Sequence, residues 1–160
     1  MTDTIRILGI DPGSRTTGYG VVDSDRGTLR FVACGVIKTT TNMPFNYRLN
    51  QIFTGINEII QVHGPTEAAV EDVFLATNPG SALKLGQARG AAVVAAMQNN
   101  LQVADYSAKQ IKQAVVGYGQ AGKTQIQHMV RVLLGLHKAP SNDAADALAV
   151  AICHLNQLRI

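Results

Sequence analysis

The chain of 160 residues lacks tryptophan and contains only two cysteines. Cys34 and Cys153 are far apart and match no metal-binding spacing, which argues against a disulfide framework and favours a reducing compartment. No apolar run approaches the ~20 residues of a membrane span. The first residues, Met-Thr-Asp-Thr-Ile-Arg, do not form a signal peptide. We therefore expect a cytoplasmic protein without a membrane partner.

The composition predicts one globular domain over residues 1–160. Hydrophobic residues make up 46% and charged residues 16% of the chain, which excludes a disordered segment of this length. Aromatic residues are few, whereas alanine and glycine are plentiful. We therefore expect a core in which small side chains let the elements pack closely.

Positive charge is concentrated in the middle of the chain. Residues 1–83 carry six basic and eight acidic residues, whereas residues 84–138 carry seven basic residues and one acidic residue. A solvated basic face would account for this pattern. The other interpretation is a surface that holds a polyanion beside a metal site.

The hydrophobic periodicity predicts the order β-β-β-α-β-α-β-α, followed by more helix. Short connections make the first three strands an antiparallel meander. The helix before the fourth strand makes that strand parallel to the first. The fold class is α/β, with a mixed five-stranded sheet covered by helices. The predicted strands are 6–11, 18–23, 28–38, 68–74 and 101–106, and the predicted helices are 47–60, 81–99, 107–116, 123–136 and 144–158. Ser81 is the predicted N-cap of the second helix.

The segment Ile-Leu-Gly-Ile-Asp-Pro-Gly, residues 7–13, predicts a buried strand that ends at Asp11. Pro12 has no N–H to donate and Gly13 tolerates positive φ, so the chain leaves the sheet there. Asp11 is either a turn former that bonds its own backbone or a carboxylate held for a cation. The other acids decide between these interpretations.

Glu71 and Asp72 lie near the end of the predicted fourth strand. If that strand is parallel to the first, one of the two acids is a neighbour of Asp11 at the carboxyl edge of the sheet, where α/β proteins tend to bind ligands. Successive side chains of a strand point to opposite faces. The residues alone leave the choice between Glu71 and Asp72 open.

Asp143 and Asp146 share one face of the first turn of the last helix. Stabilisation of the helix dipole would explain such a pair, but the helix continues with the apolar run Ala-Leu-Ala-Val-Ala-Ile and is therefore buried from its first turn. Together with Asp11 and an acid of the fourth strand, the pair would provide oxygen ligands for Mg²⁺. Four carboxylates suit two such ions acting on a phosphodiester.

Two further features have competing interpretations. His128 lies in an amphipathic segment with Lys123 and Arg131, so it either contacts a phosphate or is a structural histidine. Residues 117–124 match a Walker loop superficially, but that loop needs a preceding strand and the preceding segment is predicted to be helical. A mobile loop beside DNA is the alternative.

The chain resembles the RuvC family, the bacterial Holliday junction resolvases, over essentially its whole length. The resemblance rests on several short segments that occur in order and at matching spacings, namely residues 8–20, 70–74, 81–90, 112–117, 127–130 and 143–149. It implies an RNase H-like fold and a homodimer that works with the RuvA–RuvB complex. It also implies an endonuclease that uses Mg²⁺, with Mn²⁺ as a substitute, to nick two opposed strands of a four-way DNA junction.

The resemblance also implies roles for particular residues. The catalytic and metal-binding acids correspond to Asp11, Glu71, Asp143 and Asp146, which selects Glu71 over Asp72. Phe74 corresponds to an aromatic residue that stacks on a junction base. Lys112 and Lys123 correspond to basic residues that engage the scissile DNA. Lys84 and Arg89, which belong to the basic middle of the chain, are the other two predicted DNA contacts. The helix that begins at Ser81 would belong to the dimer interface.

Two other functions compete with this one. The opening strand followed by Asp-Pro-Gly also suits sugar kinases and Hsp70-like ATPases, but those proteins need two such domains, which 160 residues cannot hold. A junction-binding protein without catalysis would keep the basic segment and need not keep all four acids.

Overall fold

A computed structural model describes residues 3–72, 78–119 and 121–158. Five strands and five helices are present in these residues: β1 Thr4–Asp11, β2 Thr16–Asp25, β3 Thr28–Lys38, α1 Phe45–His63, β4 Glu67–Asp72, α2 Pro79–Gln98, β5 Gln102–Ser107, α3 Ala108–Val115, α4 Lys123–Leu134 and α5 Asn142–Leu158. In the described part of the chain, no helix is both long and apolar enough to cross a membrane.

The strands form one mixed sheet in the order β3-β2-β1-β4-β5. β1, β2 and β3 pair antiparallel, as their short connections predict. β4 pairs parallel to β1, and β5 pairs parallel to β4. The predicted meander and the parallel placement of the fourth strand are both confirmed. As a result, β1, β4 and β5 all finish at the same edge of the sheet.

Helices cover both faces of the sheet, and each face has its own hydrophobic core. On one face, α3, α4 and α5 pack over Ile7 and Ala69. On the other face, α1 and α2 pack over Leu8, Ile10 and Val70. Because side chains alternate along a strand, the residues that follow Ile10 and Val70 point towards α5.

α5 lies unusually close to the sheet because glycines face it. A Cβ added at Gly9 would lie 2.7 Å from the Ala151 nitrogen, and one at Gly20 would lie 2.7 Å from the Leu148 side chain. Real Cβ atoms do not approach other atoms so closely, so each position requires glycine. The expectation of close packing between small residues is met at this contact.

Buried polar contacts also hold the second half of α5 against β4 and β5. His154 is only 6% exposed. Its Nδ1 lies 2.7 Å from the Tyr106 hydroxyl, and its Nε2 lies 2.5 Å from Glu67 Oε2. Since buried polar groups are costly unless they are hydrogen-bonded, these contacts favour one position of α5 on the sheet.

The start of α2 differs from the prediction. The helix begins at Pro79 rather than after Ser81, and the Asn78 side chain caps it by accepting a hydrogen bond from the Ser81 backbone N–H. Ser81 therefore donates to the cap and is not the cap itself. Proline suits the first turn of a helix because its missing N–H has no intrahelical acceptor there.

Candidate active site

Asp11 and Glu71 are neighbours at the carboxyl ends of two parallel strands. Ile10 pairs with Val70 in the register of β1 and β4, so the residues that follow them lie side by side. The charge of Glu71 lies close enough to raise the pKa of Asp11. Both residues line the same cleft.

Asp72 does not face this cleft. Its Oδ1 lies 3.8 Å from Arg89 Nε, and Arg89 also pairs with Asp105 on β5. The structure therefore brings Glu71, and not Asp72, to Asp11. The alternation of side chains along the strand could not decide between Glu71 and Asp72, and the register of β4 against β1 does.

The amino end of α5 brings Asp143 and Asp146 to the cleft. One carboxylate oxygen from each of Asp11, Asp143 and Asp146 can be chosen so that all three atoms lie within 4.8 Å of one another. Close contact between strand and helix places them there, because a Cβ at Gly18 of β2 would lie 2.7 Å from the Asp143 carbonyl carbon. The Ser141 hydroxyl accepts a hydrogen bond from the Ala144 N–H at 3.4 Å and caps this turn.

The cleft has a volume of about 280 Å³ and two chemically different walls. The four acids and Pro12 lie on the sheet and on α5. Lys112 of α3 and Lys123, the first residue of α4, also line it, together with the apolar residues Ile111, Ile126 and Ala149. A group that enters the cleft therefore meets negative charge from several elements and positive charge from α3 and α4.

Burial and the clustering of acids raise the pKa values of two of them. Burial, together with the nearby charges of Glu71 and Asp146, raises the pKa of Asp11 from 3.8 to about 9. Burial also raises the pKa of Asp146, to about 6, although Lys123 opposes that shift. Desolvation and repulsion between carboxylates both favour the protonated acid, and a bound cation would relieve the repulsion.

We expect the metal-free protein to lose stability as the pH rises. The folded state holds protons on Asp11 and Asp146 that the unfolded state has released, since both pKa values lie above 3.8 in the fold. Stability therefore falls between pH 3.8 and about pH 9. Melting in EDTA should show a midpoint several degrees lower at about pH 8 than at about pH 5. Mg²⁺ should restore the melting midpoint at the higher pH, and Asp11→Asn should make the midpoint depend less on pH. A melting midpoint that rises with pH over this range in EDTA would contradict the raised pKa values of Asp11 and Asp146.

The other predicted DNA contacts lie in different surroundings. Lys84 lies outside the cleft, with its Nζ 5.8 Å from the centroid of the Phe45 ring. Arg89 is engaged by Asp72 and Asp105, which sequence reasoning did not anticipate. Phe74 lies outside the described residues. The roles of these three residues in DNA binding stay predictions.

The segment from 117 to 124 does not have the setting of a Walker loop. The element before it is the helix α3, where a phosphate-binding loop of that type follows a strand. His128 borders a separate hollow beside Thr124 and Met129, and it does not line the cleft that holds the acids. Sequence reasoning missed the apolar wall formed by Ile111 and Ile126. Their places in the amphipathic pattern of α3 and α4 marked them only as buried.

Comparison with known proteins agrees with the geometry of this cleft. Residues 7–154 match the family described as "Crossover junction endodeoxyribonuclease RuvC". The chain belongs to the RuvC family. Its relatives in that family include the RuvC proteins of Acinetobacter baumannii, 62% identical over 149 residues, and of Francisella philomiragia, 57% identical over 148 residues. These alignments cover 92% of this chain and 81% and 86% of the two relatives.

Solved RuvC structures confirm the fold. Thermus thermophilus RuvC is 36% identical with a TM-score of 0.87, and the matched region covers 97% of this chain and 96% of that one. T. thermophilus RuvC in complex with a Holliday junction substrate gives a TM-score of 0.91 at 36% identity, with 97% and 95% covered. The RNase H-like α/β class is therefore confirmed, as is the resemblance to RuvC. The chain is a junction-resolving endonuclease, which sets aside the kinase-like and non-catalytic alternatives.

Proposed function

We propose that Asp11, Glu71, Asp143 and Asp146 bind two divalent cations and that the site cuts two opposed strands of a four-way DNA junction. The products would be 5′-phosphate and 3′-hydroxyl ends, as recombination and DNA repair require. The observation that carries this proposal is the approach of carboxylate oxygens from Asp11, Asp143 and Asp146 to within 4.8 Å of one another. These residues come from two distant parts of the chain, and the fold stabilises their proximity against repulsion.

The donor set fits a hard cation. All the candidate ligands are carboxylate oxygens, which Mg²⁺ and Mn²⁺ prefer. The raised pKa values of Asp11 and Asp146 are what such a cluster shows without a counter-charge. When bound, the cations would polarise the phosphodiester and favour ionisation of the attacking water.

The protein residues would orient the DNA around this centre. Lys112 and Lys123 line the cleft with the acids and lower the pKa of Asp146 by their charge. Their ammonium groups would bind phosphate oxygens and counter the charge that develops on the scissile group. The sharp turn at Pro12 keeps the backbone after Asp11 out of the way of an entering phosphodiester.

The proposal is tested with a synthetic four-way junction and a linear duplex of the same sequence. In Mg²⁺ we expect paired, symmetric nicks in the junction only, and no cleavage in EDTA. Mn²⁺ in a parallel reaction should support the same nicks. Efficient cleavage of the duplex, or cleavage in EDTA, would overturn the proposal.

We further propose that the protein is a homodimer that pairs through α2. Cutting two opposed strands symmetrically needs two active sites. One side of α2 exposes Leu83, Val94 and Met97 to the extent of 64%, 50% and 56%. Beyond the backbone of α2 itself, the described residues place no atom within 4 Å of where a Cβ would be at Gly86 or Gly90. These five residues recur every three or four positions, so they form an apolar stripe on which a second helix could pack closely.

We expect Val94→Asp to convert the dimer to a monomer. A carboxylate in the middle of the stripe would be buried without a partner, which is costly. Sedimentation measures the mass of the wild type and of the variant. Val62→Asp is the control, since Val62 is 76% exposed on α1 and should leave the mass unchanged. A variant at position 94 that still sediments as a dimer would exclude this stripe as the interface.

A further inference from the structure

Arg48 is a buried cation whose observed acceptors are neutral. It lies in the first turn of α1 and is only 8% exposed. Its Nε donates to the Thr39 hydroxyl at 3.2 Å, and its Nη2 donates to the Ser14 carbonyl oxygen at 2.8 Å. The ion pairs found within residues 3–72, 78–119 and 121–158 do not include Arg48. A buried charge without a counter-ion is costly.

The guanidinium group lies against the turn that leaves the cleft. Ser14 follows Pro12 by two residues, and Pro12 lines the cleft beside Asp11. Thr39 strengthens the contact, because its hydroxyl donates to the Ser14 carbonyl at 2.7 Å and its backbone N–H donates to the Arg15 carbonyl at 3.0 Å. The charge of Arg48 is therefore held beside the rim of the active site.

Two further cations lie near Arg48. Arg48 Cζ is 5.2 Å from the centroid of the Phe45 ring, and Lys84 Nζ is 5.8 Å from the same centroid. Arg15 is exposed on the turn that Arg48 and Thr39 hold. Like Arg48, neither Arg15 nor Lys84 takes part in the ion pairs of the described residues. Arg48 and Lys84 share the Phe45 ring, and Arg15 lies on the turn that Arg48 holds. We call these three residues, which have no carboxylate partner among the described residues, the Arg48 cluster.

We propose that the Arg48 cluster binds the sugar–phosphate backbone of the DNA strand where it passes the rim of the cleft, away from the scissile phosphodiester. This inference rests on the proposed function. The counter-charge that the described protein residues do not provide would come from phosphates. Arg15 and Lys84 are exposed and would contact phosphate oxygens directly, while Arg48 would hold the turn in shape and add its charge. Because phosphates carry no sequence information, the site would position the strand without selecting bases.

The test compares the salt dependence of junction binding in EDTA, where no cleavage occurs. Each phosphate contact adds about 0.9 to the slope of log affinity against log salt concentration. The double variant Arg15→Gln, Lys84→Gln should therefore lower the magnitude of the slope by about 2. Arg30→Gln is the control, because Arg30 is exposed on β3 opposite Asp23, at the other end of the sheet. Its slope should equal that of the wild type.

An unchanged slope in the double variant would overturn the inference, even if Mg²⁺-dependent cleavage of the junction is normal. Failure of the wild type to bind the junction would overturn the proposed function and this inference together. Arg48→Gln should also lower the slope if the variant folds, which its thermal unfolding will show. If it does not fold, the two exposed residues still decide the outcome.

Discussion

Asp146→Asn is expected to abolish cleavage of the junction, by at least about a hundredfold, while leaving junction binding intact. Asparagine keeps the size of the side chain but removes the negative charge that a divalent cation requires. Asp146 contributes one of the three oxygens that lie within 4.8 Å of one another. Its pKa of about 6 means that the carboxylate is ionised at neutral pH even in the metal-free protein.

Two measurements separate catalysis from binding in this variant. Single-turnover cleavage in Mg²⁺ gives the chemical rate, and fluorescence anisotropy of a labelled junction in EDTA gives the affinity. Asp3→Asn is the matched control, because Asp3 is exposed and forms an ion pair of 3.7 Å with the exposed Arg26. Normal cleavage by Asp146→Asn would remove Asp146 from the metal-binding set.

Gly18→Ala is expected to destabilise the fold by about 3 kcal/mol and to reduce cleavage strongly. The added methyl group would lie 2.7 Å from the Asp143 carbonyl carbon and closer still to its oxygen. Both atoms belong to the backbone, so β2 and the amino end of α5 must move apart. That movement carries Asp143 and Asp146 away from Asp11, and the loss of activity should exceed what the unfolded fraction explains.

Gly122→Ala is the matched control for this substitution. Gly122 precedes α4 with an ordinary φ of −80°, and the nearest atom recorded around its Cβ position is Gln125 Oε1 at 3.8 Å. Glycine and alanine at the residue before a helix differ modestly, so this variant should lie within about 1 kcal/mol of the wild type. Denaturant unfolding compares the three proteins. Equal stability of Gly18→Ala and the wild type would show that α5 does not lie as close to β2 as described.

Local sequence signals predicted the parts of the site that depend on a single element. The apolar run before Asp-Pro-Gly located the end of β1, because proline has no N–H to donate within a central strand and Pro-Gly favours a turn. The spacing of Asp143 and Asp146 placed both acids on one face of a helix, and the apolar residues after them predicted burial. These inferences needed only the periods of strands and helices.

The other features of the site depend on contacts between elements that are distant in sequence. Glu71 and Asp72 are equivalent in a strand pattern, and only the register of β4 against β1 brings Glu71 to Asp11. Arg89 belongs to a basic segment by sequence, yet its two carboxylate partners lie on β4 and β5. The cap of α2 was wrong for a local reason, since Asn78 and Ser81 are both good caps and Pro79 favours the earlier start.

The position of α5 has a consequence for synthesis of the protein. α5 follows every other described element in sequence, and it carries two of the four acids. A chain growing on the ribosome holds Asp11 and Glu71 long before Asp143 and Asp146 exist, and α5 also fills the core on that face of the sheet. Incomplete chains therefore cannot assemble the cleft. If the four acids bind the cations as proposed, the nuclease would become competent to cut DNA only once α5 has been made and has packed.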